Sequence, residues 1–250
     1  FNMVLGAGRV VGQALVEHGK LDALTFTGSV PTGHALLKQA AERALKVQME
    51  MGGKNPLVVL ADADLDKAVE CAVNGAFFST GQRCTASSRL IVESRIHDEF
   101  VARMQARLAK VKVGDPLQAG IDIGPVASKG QLDTDLSYIK AGRDEGAELL
   151  FGGDMVECAT QGHFLAPTLF AARPELRISR EEIFGPVAAV IRADDYEHAL
   201  ALANDTEFGL CAGICTTSLK HATHFKRHAQ AGMVMVNLPT AGVDPHVPFG

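Results

Sequence analysis

Short apolar runs and longer amphipathic stretches alternate along the chain, which is the pattern of a mixed α/β protein. The clearest stretch has apolar residues at positions i, i+3, i+4, i+7, i+8, i+11 and i+12, so one continuous stripe lies on one face of a helix. Gly81 follows this stripe and is expected to end the helix. The members of the stripe are Leu65, Ala68, Val69, Ala72, Val73, Ala76 and Phe77.

The remaining elements follow from the same patterns. Strands are predicted at residues 23–27, 47–51, 57–60, 89–92, 148–151, 187–191, 210–216 and 233–237. Further helices are predicted at residues 9–18, 32–43, 96–108, 131–145, 196–204 and 219–229. We expect the first strand, residues 23–27, to be buried. Residues 114–125 are rich in turn-forming residues, so an irregular segment is expected there.

Composition narrows the class of protein. The chain is 250 residues long, with 47% hydrophobic and 21% charged residues, as in a soluble globular protein of one or two domains. The net charge is −5 and the basic residues are scattered, so a nucleic-acid partner is not expected. Apolar runs such as residues 187–191 are too short to span a membrane, and no signal peptide is visible. The five cysteines have no framework spacing, which favours a reducing compartment, and we predict a cytoplasmic protein.

Three short motifs carry the candidate chemistry. The first is Met49-Glu50-Met51-Gly52-Gly53-Lys54-Asn55-Pro56, the second Gly81-Gln82-Arg83-Cys84, and the third Glu181-Glu182-Ile183-Phe184-Gly185-Pro186. A single cysteine is most often a small buried hydrophobe. Here Gly81 permits close approach, and the neighbouring Arg83 is a cation that favours a thiolate. These neighbours make Cys84 a candidate nucleophile, whereas the other four cysteines are expected to be packing residues.

Together the three motifs resemble those of the aldehyde dehydrogenase superfamily, and the resemblance runs along the whole chain. It implies that Cys84 is the nucleophile and that Glu50 is the general base that activates water against a thioester. It assigns the carboxylate of Glu182 to the nicotinamide ribose hydroxyls and Phe184 to packing near the nicotinamide. From the residues alone, Glu50 is a solvent-facing strand residue, and Glu182 and Phe184 are a helix-end acid and a core phenylalanine.

A second candidate cofactor site lies at Phe26-Thr27-Gly28-Ser29, where a strand leads into a helix. The free N–H groups and the dipole at a helix N-terminus suit a phosphate. The resemblance makes Gly28 and Ser29 cofactor contacts, together with Met51 and Gly52. The glycines at positions 6, 8 and 12 depart from the common G-x-G-x-x-G fingerprint, and the family binds its dinucleotide in its own manner.

The resemblance also predicts the domain organisation. Residues 1–50 correspond to the C-terminal part of an NAD(P)-binding domain of Rossmann type, and residues 51–250 to a catalytic domain truncated at its end. Family members are roughly twice as long, and the chain begins and ends inside elements, so we expect a fragment of a longer polypeptide. The oxyanion-binding asparagine and the residues that select NAD or NADP belong to an earlier segment of the family's sequence. Both cofactors stay open, with NAD as the default, and a homodimer or homotetramer is expected, with no metal.

The loop at residues 237–250 resembles that of dehydrogenases acting on 2-oxoglutarate semialdehyde (2,5-dioxopentanoate). Succinic semialdehyde or another small carboxylated aldehyde remains an alternative, because one methylene rarely discriminates strongly in a pocket. Some relatives pass the acyl group to coenzyme A, but they typically lack the glutamate found here at position 50. A third alternative is an inactive, self-associating catalytic-domain fragment. Arg89 is a candidate substrate cation, although its position matches a structural arginine of the family.

Overall fold

The computed structural model describes residues 2–242 and 245–250. The chain divides into two compact units, Phe1–Gly52 and Gly53–Gly250, and each is described by itself. Among the described residues, no helix combines the length and the apolar character needed to cross a membrane.

The first unit contains two helices and two parallel strands. Its elements are α1 (Gly8–Glu17), β1 (Ala23–Thr27), α2 (Val30–Glu42) and β2 (Lys46–Glu50). The strands pair in parallel from Ala23 opposite Lys46 to Thr27 opposite Glu50. The side chains of β1 alternate between exposed and half-buried, so the prediction of a buried strand was wrong. Leu24 and Phe26 are half-buried, whereas Ala23 is exposed on the other face, because this unit has two strands and α2 packs against them.

The second unit is built on a seven-stranded sheet with the order β5-β6-β7-β4-β3-β8-β9. All neighbouring strands are parallel except β5 and β6, which are antiparallel. The strands are β3 (Asn55–Val59), β4 (Ser87–Glu93), β5 (Glu148–Phe151), β6 (Thr168–Ala171), β7 (Val187–Ala193), β8 (Cys211–Cys215) and β9 (Met233–Val236). The helices are α3 (Leu65–Phe77), α4 (His97–Leu108), α5 (Lys129–Asp144), α6 (Arg177–Arg180), α7 (Tyr196–Asn204) and α8 (Leu219–His228).

Helices cover both faces of this sheet, as the near-continuous apolar strands require. Leu57 and Val59 of β3 pack with α3 and α4 on one face, whereas Val58 packs with α7 and Phe225 of α8 on the other. A third apolar cluster joins α5 and α6 to β6 and β7. The alternation of side chains along each strand therefore divides the core into layers.

Arg89 is fully buried in β4, and its guanidinium donates hydrogen bonds to the carbonyls of Leu202 and Ala203 at the end of α7. Such bonds satisfy carbonyls that a helix C-terminus leaves unpaired. The structural role expected of Arg89 is therefore the one that the geometry supports.

Candidate active site

The loop that carries Cys84 begins with a strained turn. The α-helix α3 ends at Phe77, four residues before the predicted end at Gly81, and a short 3-10 segment covers Phe78–Gly81. Ser79, Thr80 and Gly81 have φ values of 55°, 59° and 64°. This left-handed conformation is costly for β-branched Thr80, and such strain persists only where the surroundings impose it.

Asn55, the first residue of β3, holds the backbone of this loop by hydrogen bonds. Its amide nitrogen donates to the carbonyl of Cys84 at 2.8 Å and to that of Ala86 at 2.9 Å. Its amide oxygen accepts the N–H of Cys211 at 3.0 Å. One buried side chain thus ties the backbone of the candidate nucleophile to two strands of the sheet.

The segment after β9 contacts the same loop. The hydroxyl of Thr240 donates to the carbonyl of Thr85 at 2.7 Å and lies 2.6 Å from the hydroxyl of Ser87. This buried threonine belongs to the loop at residues 237–250, whose resemblance suggested the substrate. Val243 and Asp244 of that loop lie outside the described residues.

Gly53 brings the nucleophile loop and the Glu182 carboxylate together. Its N–H donates to Glu182 Oε1 at 2.9 Å. A Cβ added to Gly53 would lie 2.7 Å from the carbonyl oxygen of Cys84, so any larger residue would force these segments apart. The backbone of Cys84 and the carboxylate of Glu182, which are distant in sequence, therefore both contact one glycine.

Two ionisable groups at this point are perturbed by burial. Burial raises the pKa of Glu182, against the opposing effects of the Gly53 hydrogen bond and the Lys54 charge. Burial, reinforced by repulsion from Arg89, lowers the pKa of Lys54 to about 7. The amino group of Lys54 is buried and has no hydrogen-bond partner among the described residues. Ionisable groups shifted in this way are typical of functional sites, although structural networks shift them too.

Phe184 has an unusual backbone conformation next to Glu182. Its φ is 60°, and its side chain is not a core phenylalanine, because the residue is 41% exposed. Together with Glu182 it lines a crevice bordered by Gly53, Gly81 and Arg83. The guanidinium of Arg83 donates to the carbonyl of Asn74 in α3, and its influence on the thiolate stays a prediction.

The predicted residues of the first unit gather where β1 and β2 end. The N–H of Gly28 donates to the carbonyl of Glu50 at 3.0 Å. Ser29 precedes the first turn of α2 without capping it, and its hydroxyl lies 2.9 Å from that of Thr32. Met51 packs on Gly33, where a Cβ would lie 2.4 Å from its sulfur. The half-buried Glu50 accepts a hydrogen bond from Gln48 at 3.2 Å, and Gly52 is the last residue of the unit.

The residues present fit a nicotinamide dinucleotide: each unit, taken by itself, has groups that suit one part of this cofactor. In the second unit, the half-buried Glu182 accepts one hydrogen bond from Gly53, and its Oε2 accepts none among the described residues, so it can receive ribose hydroxyls. In the first unit, the N-terminus of α2 is a helix end with an uncapped first turn, which suits a phosphate. Among the described residues, no group of three His, Cys, Asp or Glu side chains could hold a metal ion.

Sequence reasoning missed two residues that assemble this site, Gly53 and Asn55. Both belong to the first motif, but their importance depends on contacts with segments far along the chain. Cys71, Cys211 and Cys215 are buried, as expected of packing residues, whereas Cys158 is only half-buried. A polar asparagine at the start of a wholly buried strand was the available signal for Asn55.

Fold and site together define an α/β protein in which a cysteine loop and a carboxylate loop meet at the edge where strands of a mostly parallel sheet begin. The aldehyde dehydrogenase family model matches residues 1–250, so the chain belongs to this family. The predicted family and fold class are thereby confirmed.

Individual relatives support the same assignment. The α-ketoglutaric semialdehyde dehydrogenase of Bacillus subtilis (strain 168) is 46% identical over 252 residues, covering 100% of this chain and 52% of that protein. HpcC from Thermus thermophilus matches with a TM-score of 0.95 at 40% identity, over 99% of this chain and 49% of its own. Betaine aldehyde dehydrogenase from Staphylococcus aureus, solved in complex with NAD+, matches with a TM-score of 0.95 at 33% identity, over 99% and 49%. The chain therefore spans about half the length of these relatives.

Proposed function

We propose that the polypeptide carrying this chain oxidises an aldehyde to a carboxylic acid with a nicotinamide cofactor and Cys84 as nucleophile. The observation that carries the proposal is the junction at Gly53, whose N–H binds Glu182 while its Cα faces the carbonyl of Cys84. This contact holds the backbone of the nucleophile loop and the carboxylate proposed to bind the ribose on one glycine, which supports hydride transfer from a cysteine-bound substrate to the cofactor. Membership of the family supports the same reaction.

In this proposal the Cys84 thiolate attacks the aldehyde carbon and forms a carbon–sulfur bond, and the carbonyl oxygen becomes an oxyanion. The backbone N–H of Cys84 stabilises that oxyanion. The cofactor, when bound, supplies a hydride acceptor, and loss of hydride turns the adduct into a thioester. Glu50 then removes a proton from water, whose attack releases the acid and regenerates the thiolate.

The cofactor is NAD or NADP. Glu182 and Phe184 would hold the nicotinamide riboside, and Gly28, Ser29, Met51 and Gly52 would contact the rest of the dinucleotide. The staphylococcal relative was solved with NAD+, which favours NAD as the default. A homodimer or homotetramer, and a cytoplasmic location, stay predictions.

For the substrate we propose 2-oxoglutarate semialdehyde. The loop at residues 237–250 motivates this choice, and the name of the Bacillus subtilis relative agrees with it. Succinic semialdehyde or another small carboxylated aldehyde is the alternative, and the betaine aldehyde dehydrogenase names among the relatives show how widely substrates vary at this similarity. Transfer of the acyl group to coenzyme A is disfavoured by Glu50, because a carboxylate at this position serves hydrolysis.

An inactive chain is the second candidate for the 250 residues taken alone. The two parallel strands of the first unit leave exposed side chains on β1 and β2, whereas parallel sheets are normally covered on both faces. Such strands favour self-association. We expect no turnover from these residues by themselves.

The deciding experiment measures nicotinamide reduction by the polypeptide that carries this chain. Activity with 2-oxoglutarate semialdehyde should disappear in Cys84→Ala and persist in the control Cys158→Ala. Glu50→Gln should transfer one hydride per site and then stall as a thioester that hydroxylamine releases. Activity undiminished in Cys84→Ala would refute the mechanism. Activity restricted to succinic semialdehyde would replace the substrate and keep the mechanism, and dependence on coenzyme A would replace the acceptor.

A further inference from the structure

A carboxyl group that the proposed mechanism does not use lies beneath the Phe184 turn. Asp135 of α5 is fully buried. Its Oδ1 accepts a hydrogen bond from Gln131 Nε2 at 2.8 Å, and its Oδ2 is buried with no partner among the described residues. Burial raises the pKa of Asp135 to about 7, and the Gln131 bond only partly opposes that effect. Retaining such a group in a core is costly, so its contacts call for an explanation.

The contacts of Asp135 lead to the segment Ile183-Phe184-Gly185. A Cβ on Gly185 would lie 2.2 Å from Oδ1 and 2.4 Å from Oδ2, so the carboxyl packs directly against this glycine. Gln131 Nε2 also donates to the carbonyl of Ile183 at 3.0 Å. The backbone on both sides of Phe184 is therefore held by two side chains one helical turn apart.

The same segment also contacts the nucleophile loop. A Cβ on Gly81 would lie 2.2 Å from the carbonyl oxygen of Gly185. Gly81 stands three positions before Cys84 in the chain. Phe184 keeps its left-handed φ of 60° between these two contacts, and an aromatic residue adopts that conformation only under such constraint.

We propose that Gln131 and Asp135 are positioning residues that hold Phe184 and Glu182 in the orientation that receives the nicotinamide riboside. The inference rests on the proposed function, because it assigns a role to a turn whose ligand is the cofactor. Neither side chain touches the reacting atoms in this scheme. They act through the backbone of residues 183–185, and the shape and hydrogen bonding of Asp135 matter more than its charge.

The test compares Asp135→Asn, Asp135→Leu and Gln131→Met in the polypeptide that carries this chain. Asparagine keeps the shape and the acceptor for Gln131, so KM and Kd for NAD+ should stay within about threefold of wild type. Asp135→Leu and Gln131→Met should each raise KM and Kd for NAD+ by about tenfold or more. The rate at which iodoacetamide alkylates Cys84 should change little in any variant, since the thiol loop keeps its own anchor at Asn55.

Two outcomes would overturn the proposal. One is an unchanged Kd for NAD+ in Gln131→Met. This variant carries the milder substitution, so the comparison can still be made if Asp135→Leu does not fold. The other is an Asp135→Asn variant as impaired as Asp135→Leu, which would make the charge decisive. Titration with NAD+ also separates this proposal from the proposed function. If no aldehyde is oxidised but NAD+ binds, the Kd comparison still decides the role of the pair.

Discussion

At the scale of single residues, Asn55 shows how one side chain can fix the loop of the candidate nucleophile. Its side-chain amide donates hydrogen bonds to the carbonyls of Cys84 and Ala86 and accepts one from the N–H of Cys211. The motifs predicted Cys84 and Glu182 from their neighbours in sequence, but Asn55 and Gly53 were missed. Their contacts join positions 29 to 156 residues apart, and local patterns carry no information about such distances.

Replacing Asn55 by aspartate removes the side-chain hydrogen-bond donors and keeps the acceptor. The carboxylate keeps the bond from Cys211 but faces two carbonyl oxygens without a proton to share, so we expect a loss of about 2–4 kcal/mol in unfolding free energy. The rate of Cys84 alkylation should change at least severalfold. Asn204→Asp is the matched control, because Asn204 likewise donates to His228 and accepts from Gln230. A normal alkylation rate in Asn55→Asp would argue against the anchoring role.

Asp135 should make stability depend on pH. Its pKa is raised from 3.8 to about 7 by burial, so the folded state binds a proton that the unfolded state releases. The favourable contribution is complete below pH 4 and is lost as pH rises through about 7, an effect of about 2–4 kcal/mol. Urea denaturation between pH 4 and 8 should show this decline in the wild type and not in Asp135→Asn. Asp133→Asn, on the exposed side of the same helix, should decline like the wild type; a parallel decline in Asp135→Asn would contradict the assignment.

At the scale of elements, sequence patterns predicted regular structure where the pattern was long. The helix α7 was predicted with its observed bounds, and the apolar stripe of α3 spans the whole observed helix, which begins after the capping carboxylate of Asp64. The strand β6 and the helix α6 were missed, because four residues are too few to establish a period. Cys71 lies outside the stripe, and its burial agrees with the expectation of a packing residue, because α3 is enclosed on more than one side.

The left-handed turn before Cys84 should be sensitive to Gly81→Ala. Both Gly81 and Gly146 have positive φ, at 64° and 85°, so alanine strains the backbone at either position by about 1 kcal/mol. Only at Gly81 would the new methyl group meet a carbonyl, that of Gly185, at 2.2 Å, whereas nothing lies within 4 Å at Gly146. We expect Gly81→Ala to cost at least about 2 kcal/mol more than Gly146→Ala and to weaken NAD+ binding. Equal costs in thermal unfolding would show that the contact is relaxed in solution.

At the scale of the whole molecule, the α/β class was predictable and the arrangement of strands was not. Alternating strands and helices imply a parallel sheet. The pairing of β3 with β8, however, joins segments about 150 residues apart in the chain. The common rule also places ligands beyond the carboxyl ends of parallel strands, as with Gly28 after β1. In the second unit the candidate residues instead precede β3, β4 and β7, so the rule points to the opposite edge of the sheet.

The two units should differ in amide exchange. In the first unit β1 and β2 have no buried residues, whereas every residue of β3 is buried. Exchange through local opening depends on how much structure must be disrupted, so we expect β1 and β2 amides to exchange at least about tenfold faster than those of β3 and β4. Mass spectrometry after brief deuteration measures both in one sample. Equal protection would mean that the exposed faces of the first unit are covered in solution, for instance by self-association.

The order of the sheet has a consequence for how the protein is made. Its central strands, β3 and β4, are the first of the second unit to leave the ribosome, and Cys84 lies between them. Glu182 follows about 100 residues later, which at roughly 5–20 residues per second takes roughly 5–20 s. For that interval the nascent chain displays its thiol without the carboxylate loop that completes the site. Under the proposed mechanism, Cys84 is therefore most open to oxidation before the protein is finished, and the redox state of the cell during translation would affect the yield of active molecules.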